Sequence, residues 1–248
     1  MRRLEYAAIN PISGGIYHVA GIARDGVVTI PWSLVAKIVR APHRSHPAAN
    51  DSDSGQYDNP RGLSYWRREI LAYQSGLFDD PQSGMRAARC YGISEHADEA
   101  AVIWLEDLSG ERHERWDTAD YGRAAKDLGR FSAHHAGRPL ASHRWLHRGC
   151  LRSLASIRGA GTLDLLARPE TWQHPRVRRY FAESHLHRLV RVWQERDLYL
   201  NALDRLPQTL CHFDISRHNL FLLDGSNGRR QTVAIDWASA GIGALGED

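Results

Sequence analysis

The chain has 248 residues, 42% of them hydrophobic, and a formal net charge of +3, enough to bury a sizeable core as one large domain or two smaller lobes. Its Lys and Arg residues are scattered rather than gathered into the dense basic stripe of a nucleic-acid binder, and no apolar run approaches the roughly 20 residues of a membrane helix. Three cysteines without close spacing argue against a disulfide scaffold and for a reducing compartment, and the start "MRRLEYAAINPISGG" lacks the apolar core of a signal peptide, so the chain reads as cytoplasmic.

In chain order, "GGIYHVAGIAR" and "VVTIPWSLVAKIVR" are rich in β-branched and aromatic residues and meet at "RDG", which predicts two strands joined by a tight turn. Residues 41–60 are polar and rich in Pro, Ser, Asp and Asn, the composition of a loop. Trp66, Ile70, Tyr73 and Leu77 then fall on one helical stripe, with Ser64 as a plausible N-cap. "AAVIWLEDLSG" predicts a strand leaving into a loop. From about residue 117 the pattern is helical, with Tyr121, Ala124, Ala125, Leu128 and Phe131 on one side and a stop at Gly137–Pro139. Residues 140–206 read as further helix, the clearest part being the long segment 179–206. After residue 207 short strands return: "TLCHF", "NLFLL" and "TVAIDW". A β-rich start, a helical body and a return to strands suggest two lobes with a seam near residues 106–116.

The polar residues concentrate in the last part. Asp214 and Asn219 share one connection between strands, and Asp236 follows the apolar "VAI" 22 positions after Asp214. A hairpin between the flanking strands would bring Asn219 and Asp236 together. Their oxygens suit a hard cation such as Mg²⁺. Asp214 would stand nearby with a carboxylate able to accept a proton from a substrate hydroxyl, or to orient it. His212, two positions earlier, fits support of the loop through hydrogen bonds.

"HFDISRHN" followed by "AIDW" resembles the His-x-Asp-x4-Asn plus Asp pattern of the aminoglycoside phosphotransferase and choline kinase group, small-molecule relatives of the protein kinases. The resemblance implies Asp214 as catalytic base, Asn219 as a metal ligand and Asp236 as the principal metal ligand. It extends upstream in the family's order. Lys37, within "LVAKIV", would hold nucleotide phosphates, and Glu69, within "WRREILAY", would pair with it. Ser13, Gly14 and Gly15 would offer backbone N–H groups to phosphate, and Glu106, Asp107 and Leu108 resemble the hinge that meets the adenine. The implied fold is α+β and two-lobed, protein-kinase-like. It has a small antiparallel β-rich N-lobe over residues 1–105, a hinge at 106–116 and a mainly helical C-lobe over 117–248. The implied activity is ATP-dependent (or GTP-dependent), Mg²⁺-requiring phosphorylation of a small-molecule hydroxyl, with no nucleic-acid or membrane partner.

The chain stops twelve residues after Asp236, whereas members of this group continue with helices that finish the acceptor pocket. The alternative is therefore a kinase-like protein that binds nucleotide or ligand without efficient catalysis. Region 138–193 is rich in Arg and His and poor in acids, which counts against a polycationic acceptor. His134, His143 and His147 have spacings that can serve zinc, but no Cys or carboxylate completes the set. "HFD" is also two-thirds of an iron-binding facial triad, but it lacks the distant second His.

Overall fold

The computed structural model describes residues 1–4, 12–42, 57–96, 99–111, 115–140, 142–182, 184–224 and 230–248. Most of the expected loop at 41–60, part of the 106–116 segment and most of the "DGSNGRR" connection lie outside the described residues. Five strands form the N-terminal sheet: β1 (Arg2–Arg3), β2 (Ser13–Asp25), β3 (Val28–Arg40), β5 (Cys90–His96) and β6 (Ala100–Glu106). β4 (Met85–Ala87) belongs elsewhere. The order is β1-β2-β3-β6-β5, and every neighbouring pair is antiparallel. β2 and β3 pair from Asp25–Val28 inward around a two-residue turn whose first residue, Gly26, has φ +58°. A positive φ at that position matches the twist of a two-residue hairpin.

Helix α1 (Arg68–Gln74) covers this sheet. Trp66 and Ile70 are buried with Ile12, Val39, Ala41, Ala101, Ile103 and Leu105. Full burial of a side chain such as Ile70 contributes about 1.5–3 kcal/mol relative to exposure. The helix starts later than the Ser64 cap predicts. Its N-cap is Arg67, without a side-chain cap bond. The carbonyls of Pro60, Gly62 and Leu63 turn instead toward the Arg68 guanidinium, so residues 60–67 form turns rather than a first helical coil.

The C-terminal part begins with α2 (Thr118–His135), opened by a capping box in which Asp117 and Asp120 each accept from the other's backbone N–H. Its buried face is Ala124, Asp127, Phe131, Ser132 and His135. Tyr121 is exposed and stacks edge-on with Trp116, and Ala125 faces solvent, so both depart from the predicted stripe. The buried face includes Asp127, which accepts from Thr232 Oγ1 at 2.8 Å, a pairing that apolar periodicity cannot register.

The helical body is more broken than predicted. It comprises α3 (Cys150–Ala167), α4 (Pro169–Gln173), α5 (Pro175–Tyr180), α6 (His185–Gln194) and α7 (Arg196–Leu203), preceded by a short strand, β7 (His147–Arg148). Pro169 and Pro175 each open a new helix at its first position. The long segment expected over 179–206 is interrupted at extended Phe181 and again at Glu195. Among the described residues no helix is long and apolar enough to cross a membrane.

The remaining strands are β8 (Gln208–Cys211), β9 (Leu220–Asp224), β10 (Arg230–Ala234) and β11 (Gly241–Ala244). β9 and β10 form the expected antiparallel hairpin, and β4 joins β10 in parallel. β11 lies between β7 and β8. Behind these sheets Phe78, Phe131 and Trp237 pack ring against ring, with Trp237 and Phe131 fully buried. The architecture is thus α+β and two-lobed: one core lies under the N-terminal sheet, and another sits behind the short C-terminal strands.

Candidate active site

The connection after β8 leaves the strand through a strained residue. Phe213 has φ +62°, a left-handed conformation that costs a bulky side chain on the order of 1–3 kcal/mol. Three contacts hold it. The Asp248 carboxylate accepts from the N–H of His212 at 3.0 Å and of Phe213 at 2.6 Å. The Phe213 ring lies over β11, where a Cβ on Gly241 would sit 2.8 Å from the ring and one on Gly243 2.6 Å from it. His212, fully buried, bonds on both ring nitrogens: Nε2 donates to the Ile235 carbonyl at 2.9 Å, and Nδ1 accepts from the Asp214 N–H at 3.2 Å. That pair of bonds fixes the neutral tautomer, and burial lowers the imidazole pKa further. His212 therefore ties the Asp214 loop to the strand end that precedes Asp236.

Asp214 opens to solvent. Burial of part of its carboxyl and the nearby Asp236 charge raise its pKa, opposed by His212 and by the hydrogen bond from Asn219. Asn219 Nδ2 donates to the Asp214 carbonyl at 2.9 Å and to Oδ2 at 3.1 Å. The Asn219 carbonyl accepts from the Ile235 N–H at 2.9 Å, which extends the hairpin register by one step and sets Asn219 beside the chain entering Asp236. Asp236 is the second strained residue, at φ +64°.

Across from it, Lys37 projects from the middle of β3, opposite Ile16 on β2 and Ile103 on β6. Its Nζ lies 2.8 and 2.6 Å from the two Glu69 oxygens and 2.7 Å from Asp236 Oδ1. Lys37 is 9% exposed and Glu69 2%. Burial alone would lower the lysine pKa, but the two carboxylates outweigh it and hold the ammonium charged. Burial pushes the Glu69 carboxyl up to about 7; Lys37 opposes the rise and Asp236 adds to it. Three residues from three distant parts of the chain thus meet around one buried cation.

Ser13, Gly14 and Gly15 occupy the bulged first residues of β2 rather than a loop between strands. Gly14 is pressed against Ile38, where a Cβ would come within 2.6 Å of Cγ2, and Ser13 Oγ is buried with no partner among the described residues. Glu106, at the end of β6, is bound by Arg86 and by the Arg89 N–H at 2.8 Å. Asp107 accepts from His18 Nε2 at 2.8 Å and from the Ser109 N–H at 2.9 Å. Burial would raise the Asp107 pKa, but these bonds and one from Ser33 bring it down to about 2. Leu108 is buried with Ala88, Phe221 and Val233. The side chains at 106–108 therefore fasten the segment.

The sequence histidines do not converge. His134 pairs with Asp80 at 3.0 Å, His143 meets Ser142, and His147 Nδ1 donates to the Arg61 carbonyl. Among the described residues no group of three or more His, Cys, Asp or Glu could hold a metal. The oxygen donors of Asn219 and Asp236 still suit Mg²⁺, which is bound through one or two carboxylates with substrate phosphates and water completing its shell. Sequence reasoning missed two contributors. Nothing in the sequence sets Arg68 apart from its neighbour Arg67, yet it is fully buried. Asp248 lies 36 positions from His212, with no local pattern to mark it.

A family profile described as "Phosphotransferase enzyme family" matches residues 80–248. No curated protein matches the chain. Among solved structures, a mutant of aminoglycoside 2′-phosphotransferase-IIIa in complex with GDP aligns at 13% identity and TM-score 0.49, covering 92% of this chain and 68% of that one. A complex of aminoglycoside phosphotransferase APH(2″)-IIIa with GDP and kanamycin aligns at 14% identity and TM-score 0.46, covering 92% and 69%. A thermostable mutant of aminoglycoside phosphotransferase APH(4)-Ia aligns at 11% identity and TM-score 0.44, covering 94% and 70%.

Proposed function

The chain belongs to the phosphotransferase enzyme family, and we propose that it transfers the γ-phosphoryl group of ATP or GTP to a hydroxyl of a small molecule. The observation that carries this reading is Lys37 held between Glu69 and Asp236 at 2.6–2.8 Å. A structural lysine in a sheet needs one counter-ion. A lysine shared by a helix carboxylate and the carboxylate of a strained turn leaves an excess of negative charge at the cluster, which the divalent cation of a bound Mg·nucleotide would offset.

In this reading residues 1–105 form the nucleotide lobe, 106–116 the hinge and 117–248 the acceptor lobe. The nucleotide lies between them. Its base would meet the backbone of Glu106, Asp107 and Leu108, and its phosphates the N–H groups near Ser13, Gly14 and Gly15. Lys37, oriented by Glu69, binds α- and β-phosphate oxygens. Asn219 and Asp236 would hold Mg²⁺, which supplies charge neutralisation to the phosphate oxygens. Asp214 accepts the proton of the attacking hydroxyl; its raised pKa moves it toward the range where a carboxylate is a useful base. His212 holds Asp214 in place through the loop backbone. Most of the rate enhancement comes from positioning and charge stabilisation.

Region 138–193 is rich in Arg and His, which favours a neutral or anionic acceptor over a polycation. Three free cysteines, two of them buried, fit the reducing cytoplasm.

The test is ADP or GDP release with Mg·ATP and Mg·GTP across hydroxylated metabolites and aminoglycosides, in the natural chain and in Asp214→Ala. Acceptor-dependent release that Asp214→Ala abolishes is the expected result. Equal release from the variant would overturn the mechanism. Nucleotide binding with no release for any acceptor would point to the non-catalytic alternative.

A further inference from the structure

Arg68, next to the lysine's carboxylate partner, is fully buried and uses each of its five N–H donors on a main-chain carbonyl. Nε donates to Trp145 at 2.9 Å, Nη1 to Leu63 at 2.7 Å and to Ala238 at 3.1 Å, and Nη2 to Pro60 at 3.2 Å and to Gly62. These acceptors lie on three separate segments: the turns that lead into α1, the connection before β7, and the helical turn that begins one residue after Asp236. None of these partners is a carboxylate. Burial pushes the guanidinium down to about 10, so it stays charged at neutral pH. A buried cation with only dipoles around it is an expensive way to fill space, and an apolar side chain would fill the same volume at lower cost.

What the arrangement achieves is geometric. Arg68 precedes Glu69, and Ala238 follows Asp236 by two residues. A planar fork bonded at both ends sets the distance between α1 and the turn that carries Asp236. That spacing in turn sets how the two carboxylates sharing Lys37 face one another. We propose that Arg68 is a positioning residue that locks α1 to the Asp236 turn, so that the Lys37–Glu69–Asp236 cluster stays assembled. The proposal rests on the phosphotransferase reading and adds to it a residue and a conformational consequence.

Hydrogen exchange and turnover of Mg·ATP to ADP together test it, in the natural chain, Arg68→Lys, Glu69→Gln and the double variant. Lysine keeps the charge, but its three donors leave a single point and cannot span three segments. In Arg68→Lys, exchange should quicken at residues 68–74 and 237–240 while α2 keeps its protection. Turnover should fall roughly 10- to 100-fold, the scale of a small misplacement at a reacting centre. In the Glu69→Gln background the lysine substitution should cost little more, because both act through Lys37. A purely structural role would multiply the two losses and quicken exchange across the lobe, which would overturn the proposal. If Glu69→Gln alone leaves turnover unchanged, the phosphotransferase reading fails, and the exchange pattern decides the lock by itself. The natural chain gives a check that needs no variant: α1 and residues 237–240 should exchange as one unit, and independent opening of α1 would refute the lock.

Discussion

In the proposed phosphoryl transfer Lys37 and Asp214 carry different work, and single substitutions separate them. Lys37→Met leaves buried Glu69 beside partly exposed Asp236 with no lysine between them. Removing one partner of a buried ion pair costs roughly 3–5 kcal/mol, and Lys37 and Glu69 are both nearly inaccessible to the water that would soften that cost. A urea titration should show this loss, together with weakened binding of Mg·ATP. Unchanged stability would mean that the cluster is solvated rather than buried. Asp214→Asn, by contrast, keeps the shape of the side chain and its place beside Asn219 but cannot take a proton. Its turnover should drop by about 10²–10⁴-fold, the usual worth of a positioned base, while the Mg·ATP dissociation constant stays within about twofold of the natural chain. A matching rise in that constant would move Asp214 from proton acceptance to nucleotide binding.

The loop from His212 to Asn219 and the strand β11 act as one element. Phe213 holds its left-handed backbone because Asp248 takes two N–H donors and the glycines of β11 make room for the ring. Asp248→Ala orphans two donors that are partly shielded from water, at about 1–3 kcal/mol for such a group, and releases the strain at Phe213. Exchange of the His212 and Phe213 amides should quicken and turnover should fall, while Asp248→Asn, keeping one acceptor, lies between. Unaltered amide protection in the alanine variant would show that the ring alone holds the loop. This element also shows what a sequence can reveal. The hairpin β9–β10 and the charged residues around it were legible, because short apolar runs bracket a polar stretch whose types suit one chemistry. β4, β7 and β11 were not: each is two to four residues long and becomes a strand only through partners distant in sequence. Arg68 stayed out of view for a related reason. Its burial depends on carbonyls of residues 60, 62, 63, 145 and 238, which no helical spacing brings into view.

At the scale of the whole molecule, the two-lobed order was legible from a β-rich start, a helical middle and returning strands. The polar content of the core was not, and it governs how the protein responds to acid. His135, 1% exposed at the end of α2, packs against Phe131, and neither ring nitrogen has a hydrogen-bond partner among the described residues. Burial lowers its pKa to about 4, helped by His134 and Arg138 and opposed by Asp80. His147 is also buried, and burial lowers its pKa despite the bond to the Arg61 carbonyl. A histidine that resists protonation when folded takes up its proton more readily when unfolded, so the folded state loses stability as pH falls from the ordinary 6.5 toward 4. For His135 the slope reaches at most about 1.4 kcal/mol per pH unit within that window. His135→Leu nearly conserves volume and breaks no hydrogen bond among the described residues. Urea titrations at pH 7.5, 6.0 and 5.0 should therefore find the variant close to the natural chain at the highest pH and progressively more stable than it below pH 6.5. Parallel pH profiles for the two proteins would mean that the ring accepts its proton without penalty, through water reaching the end of α2, and that the acid sensitivity of the fold lies outside His135.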